Sequence, residues 1–172
     1  MFELSSMKTV EDMINHFSMI PHPEGGWFRR SYQSHDQIDS PNGARPLMTS
    51  IFYLLEKEGI SRLHLLDADE TWYFHGGSPL QLHLFHETRY EACKLGNPIQ
   101  DKDAHPQYTI PAGTIFGAIS TPCLNEAFSF VSCSVSPGFI QTAFSWPNIP
   151  DLKRKFKNYS HSIEKLSISV KS

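Results

Sequence analysis

The stretch that decides the fold runs Gly59-Ile-Ser-Arg-Leu-His-Leu-Leu-Asp-Ala-Asp-Glu-Thr-Trp-Tyr-Phe-His-Gly-Gly77. Two runs of strand formers, Ser61 to Leu66 and Thr71 to His75, flank a polar turn around Asp67 to Asp69, with glycine closing each end. That is the pattern of two consecutive β-strands. Side chains alternate along a strand, so His64 and Leu66 share one face. Working outward, Gly and Pro punctuate further strands at Trp27 to Tyr32, Leu47 to Leu55, Leu80 to His86, Gln107 to Ile110, Thr114 to Ile119 and Phe128 to Val135. So many short strands predict an all-β sandwich or barrel.

The same stretch resembles the first signature of the cupin superfamily: a glycine, several residues, His-x-His, three or four residues, Glu, six residues and Gly. His64, Leu66, Glu70 and Gly77 stand at those positions. Ile110-Pro-Ala-Gly-Thr-Ile-Phe-Gly117 resembles the second signature, Pro-x-Gly-x-x-His, with Phe116 in place of the histidine. Pro21 to Arg29, Thr49 to Leu55, Ser61 to His64, Ala68 to Trp72 and Pro111 to Thr114 together resemble a small branch of RmlC-like cupins known as a domain of unknown function, over roughly residues 8 to 150. The resemblance implies a double-stranded β-helix, the cupin jelly roll, with a barrel over about 24–147 and a homodimeric assembly. It places Glu70, Trp72 and Phe74 on the same interior as His64, with Phe116 opposite.

The departures bear on chemistry. A transition metal takes three or four N, O or S ligands, and of the four cupin positions only His64 and Glu70 keep a donor. The expectation is a pocket without metal or cofactor that takes a small polar or carbohydrate-like ligand.

A chain of 172 residues, 40% hydrophobic and 12% aromatic, suits one domain with a sizeable core. A helix is expected at about 9–18, where Val10, Met13, Ile14 and Phe17 recur at helical spacing behind a Thr9/Asp12 capping box. After Pro147 the pattern turns polar and helix-forming at Asp151 to Asn158, opening a helical tail over 148–172 whose last residues fray. Loops are expected at 34–46 and 87–106.

The net charge of −3 supplies no basic field for a phosphate backbone, which argues against nucleic acid as a partner. The three cysteines, Cys93, Cys123 and Cys133, lack a C-x-x-C spacing, so neither a disulfide framework nor a thiolate zinc site is indicated and a reduced compartment is expected. No secretion-signal pattern opens the sequence and no 18-residue apolar run occurs, so the expectation is a cytoplasmic protein without a membrane partner.

His64 and Glu70 are the first catalytic candidates. A carboxylate beside an imidazole in an apolar barrel holds the imidazole charged and oriented, which makes a proton-transfer pair; the alternative is a buried structural pair. Glu24 and Arg29, around the Gly25-Gly26 pair, are placed at the barrel mouth as ligand contacts or, alternatively, as turn and cross-strand residues. Ser50, Trp72 and Phe116 complete the expected ligand-binding set. His83 joins it only if a bulge reverses its facing, because Leu80, Leu82 and Leu84 take the core side. Three functions compete: an isomerase or epimerase moving a proton with His64 and Glu70, a binding module without chemistry, and a metal-dependent cupin that recruits an unrecognised ligand.

Overall fold

The computed structural model describes residues 9–121 and 128–168. Its elements follow in the order α1 (Val10–Phe17), β1 (Ile20–Pro21), β2 (Trp27–Gln33), β3 (Gln37–Ile38), β4 (Arg45–Pro46), β5 (Thr49–Glu56), β6 (Ile60–Leu66), β7 (Asp69–Gly77), β8 (Leu80–Phe85), β9 (Tyr90–Leu95), β10 (Gln107–Ile110), β11 (Ile115–Ser120), β12 (Phe128–Ser136), β13 (Phe144–Ser145), α2 (Ile149–Lys155) and α3 (Ser160–Lys165). A six-stranded sheet, β1-β2-β5-β12-β7-β10, faces a five-stranded one, β13-β6-β11-β8-β9, and every named pairing is antiparallel. This is the expected jelly roll. The quoted stretch supplies the crossing between sheets: β6 lies in the small sheet, β7 in the large one, and the turn at Asp67–Ala68 joins them.

Alternation fills the space between the sheets. Leu80, Leu82 and Leu84 of β8 are fully buried with Tyr53, Leu55, Trp72, Phe116, Val131 and Cys133, and each buried leucine stabilises the fold by roughly 1.5–3 kcal/mol. The outer face of the large sheet is covered at one end by α1, whose Met13 packs with Leu54, Phe128 and Phe130. Thr9 and Asp12 form the expected capping box, and Ser18 in the left-handed region ends the helix. The outer face of the small sheet is covered by α2 and α3, where Leu152, Phe156, Ile163 and Leu166 bury Leu63 and Phe85.

The structure departs from the sequence reading at several places. The expected loop 87–106 contains β9, which pairs with β8 along its length and buries Cys93 and Leu95. The expected loop 34–46 carries the short pair β3 and β4, and the C-terminal segment folds as two helices. Cys123 and the final residues 169–172, expected to fray, lie outside the described residues. Among the described residues no helix is long and apolar enough to cross a membrane.

Candidate functional site

At one end the barrel opens into a cavity of about 290 Å³. Its polar lining includes His22, Glu24, Arg30, Thr49, Ser50, His64, Glu70, Gln141 and the Trp72 indole; Phe28, Ile51, Tyr53, Leu66, Val135, Phe139, Phe144 and Trp146 make the apolar and aromatic walls. Small, largely apolar cavities with a few convergent polar groups are the usual form of an organic-ligand site.

His64 stands on β6 opposite Phe116 of β11, with ring centroids 4.2 Å apart, and is 2% exposed. Its Nδ1 lies 2.7 Å from the Arg62 carbonyl oxygen. A carbonyl only accepts, so Nδ1 carries the proton and Nε2 presents its lone pair. Glu70, the first inward residue after the turn, places Oε2 4.0 Å from Nε2, too long for a direct hydrogen bond. A second carboxylate approaches the other ring nitrogen: Glu24 Oε2 is 3.4 Å from Nδ1 and accepts a 3.2 Å hydrogen bond from the Ser61 hydroxyl. His64 thus lies between two buried acids.

Glu24 reaches this position through the loop before β2. The Gly25 carbonyl accepts a 2.7 Å bond from the Tyr53 hydroxyl, the Glu24 carbonyl accepts from Arg62 N at 2.9 Å, and His22 N donates to the Gly26 carbonyl at 2.9 Å. Gly26 sits at φ +68°, and a Cβ there would stand 2.3 Å from the Leu54 carbonyl oxygen. Only glycine lets the loop lie this close to β5.

Burial sets the charge state. It pushes Glu24 up to about 8, against the opposing effects of the Ser61 hydroxyl and the nearby Arg62 guanidinium. It pushes Glu70 up to about 7, with His64 opposing and Glu24 reinforcing. Burial also holds His64 below its ordinary value, although Glu70 and the Arg62 carbonyl favour the charged ring, and takes His22 down to about 3 with help from His64. The expectation of a charged imidazole held by a carboxylate is therefore corrected: desolvation outweighs the ion pair, leaving a neutral imidazole beside acids that keep their protons near neutrality. The Cys133 thiol, also lining the cavity, is raised well above its usual value by burial.

The other expected ligand contacts divide. Ser50 and Trp72 line the cavity. Phe116 lies behind His64 and Trp72 and is not part of the wall. Arg29 pairs opposite Phe52 on the outer face of β2, whereas Arg30, opposite Ile51, lines the cavity. The inward residue at the start of β2 is Phe28, so Arg30 and not the expected Arg29 reaches the cavity. His83 faces away from the leucine side as expected, yet it is 9% exposed, with Nδ1 2.7 Å from the Tyr90 hydroxyl, and is neither a surface residue nor a pocket residue. His22 and Arg30 are the basic cavity residues that sequence reading did not select as contacts. Alternation from an inward Phe28 is the signal that finds Arg30.

Among the described residues no three His, Cys, Asp or Glu side chains converge as a metal centre. Leu66 lines the cavity and Phe116 faces His64 where the cupin signatures carry histidines. The donor set does not fit the metal that the fold family implies.

Sheets, crossing turn and end-on cavity define a cupin-type jelly-roll protein. The sequence matches the cupin superfamily (DUF985) over residues 11–146, and the chain belongs to that family. It is similar to a hypothetical protein from Leishmania major (31% identity, TM-score 0.81, covering 92% of this chain and 98% of that one). A protein from Shewanella oneidensis is 32% identical with a TM-score of 0.82, covering 95% of this chain and all, 100%, of that one. Oxalate decarboxylase from Bacillus subtilis, at 13% identity and a TM-score of 0.55 over 89% of this chain and 39% of that one, shares the fold alone. No curated protein matches the chain.

Proposed function

We propose that the cavity binds a small polar, carbohydrate-like molecule and moves a proton on it, as an isomerase or epimerase does. The observation that carries this reading is the placement of His64, its Nε2 lone pair free and 4.0 Å from a carboxyl group whose proton affinity burial has raised toward neutrality. His64 and Glu70 line the same cavity, so a base and an acid can reach one bound molecule together, as proton transfer requires. In this scheme Nε2 removes a proton from carbon, Glu70 delivers one to the substrate, and the imidazolium and the carboxylate so formed recover their starting states by exchanging a proton. The Arg62 carbonyl accepts from Nδ1–H throughout and fixes the ring's orientation.

The test is exchange. Sugars, hydroxy acids and keto acids incubated with the protein in heavy water are followed by proton NMR for loss of a carbon-bound proton. Exchange by the native chain and none by His64→Ala is the expected result. Full exchange by His64→Ala removes the mechanism, and compounds that bind but return unchanged move the protein to the alternative, a binding module.

We further propose a homodimer built on the β2 side of the large sheet. Arg29–Gln33 of β2 run beyond the short β1, which covers only Trp27 and Phe28, and the exposed apolar residues Tyr32, Ile38, Leu47 and Met48 gather beside this edge. An open strand edge with apolar neighbours favours pairing.

A further inference from the structure

Two donors in the cavity that have no protein acceptor bear on the ligand's head group, on the reading that this cavity is the working site: one exposed at the mouth and one buried. The first is Arg30. It is the one lysine or arginine in the lining, and it makes no hydrogen bond or ion pair among the described residues. It sits at the exposed edge of the large sheet, with partial burial drawing its guanidinium below its usual proton affinity. The second is Trp72, 1% exposed, whose indole Nε1–H has no acceptor. Glu70 is close enough for that indole to favour its ionised form, but not in hydrogen-bond geometry. A buried donor without an acceptor costs roughly 1–3 kcal/mol, and a bound molecule that supplies one recovers it.

The two donors lie in one row of the sheet. Arg30 is opposite Ile51, Ile51 opposite Cys133, and Cys133 opposite Trp72, all on the inner face. Three interstrand steps put the two backbones roughly 14 Å apart, and both side chains line the one cavity of about 290 Å³, the scale of a single ring with its substituents. Between them the wall is apolar: Phe28, Ile51, Tyr53 and Val135. Near neutrality burial keeps the proton on Glu24 and leaves Glu70, raised to about 7, only partly ionised, so an anion entering past Arg30 meets a guanidinium ahead of a weakly charged deep end. A single guanidinium fork matches a carboxylate in charge and shape, whereas a phosphate dianion calls for more positive charge than this lining holds.

We propose that the ligand is a small ring-sized carboxylic acid, its carboxylate on Arg30 at the mouth and a hydroxyl or carbonyl oxygen accepting from Trp72 Nε1 at the deep end. Isothermal titration calorimetry of the full chain with two matched pairs tests this: 4-hydroxybenzoate against 4-hydroxybenzamide, and D-galacturonate against D-galactose. At least one acid binds about tenfold or more tighter than its neutral partner, the difference a charge-assisted fork supplies. Arg30→Gln removes that preference, and Arg29→Gln, on the outer face, keeps it. Equal affinity within both pairs, retention of the preference in Arg30→Gln, or no binding by any of the four overturns the proposal. Deuterium exchange on the same compounds separates the two readings. Acids that bind through Arg30 without exchange leave the ligand class standing and remove proton transfer, and exchange on the neutral compounds alone does the reverse.

Discussion

Replacing Gly26 by alanine tests whether the loop carrying Glu24 is held by close contact with β5. Two effects add at this position. The backbone is left-handed at φ +68°, which costs an L-residue about 1–2 kcal/mol. The new Cβ also lands 2.3 Å from the Leu54 carbonyl oxygen and 2.6 Å from Leu55 Cδ2, so backbone or a buried leucine must shift, and overpacking of that kind costs about 1–3 kcal/mol more. Gly113 is the matched control. Its φ of +76° carries the same conformational cost, but nothing lies within 4 Å of the Cβ position. In a chain of this size each kcal/mol moves Tm by about 2–4 °C, so Gly26→Ala melts about 2–12 °C below Gly113→Ala. Thermal unfolding followed by circular dichroism measures the gap. Equal melting temperatures for the two variants refute the claim that contact with β5 sets the loop.

Two further expectations concern charge and assembly. The raised Glu24 and Glu70 bind protons more tightly folded than unfolded, so the stability they contribute is full below their ordinary value of 4.5 and is lost as pH rises through about 7 to 8. His22 and His64 have the opposite sign, their depressed values making stability fall as pH drops below 6.5. Between pH 6.5 and about 8 the acids act alone; urea midpoints fall across that window, Glu24→Gln flattens the fall, and an unchanged slope in that variant contradicts the assignment. For assembly, sedimentation at micromolar concentration is expected to give a dimer that Tyr32→Glu dissociates, and a monomeric native chain ends the proposal.

The fold was legible where period and punctuation agree. The quoted stretch resolves into β6, turn and β7 because β-formers run uninterrupted between glycines. β9 was hidden because Tyr90-Glu-Ala-Cys-Lys-Leu95 mixes weak strand formers with charges, and it is strand only because β8 offers a full row of partners. The site was legible by residue type and not by geometry. His64, Glu70 and Glu24 stand out as chemistry-bearing residues, but the approach of Glu24 to within 3.4 Å of His64 depends on a loop docked through Tyr53, 28 residues away along the chain. Arg30 was missed in favour of Arg29 because Trp27 and Phe28 are equally good inward residues, and pairing with β5 decides between them.

The placement of His64 and Glu70 on different sheets, joined by a turn of two residues, gives their 4.0 Å gap a mechanical meaning. The turn acts as a spine and the sheets as two covers, so the gap registers how far the barrel stands open at that end. Tight side-chain packing at the closed end, around Leu80, Leu82 and Leu84, is then a spacer as well as a source of stability. On the proposed proton transfer, a methylene removed there, remote from the cavity, is expected to change the distance between His64 and Glu70 and with it the rate.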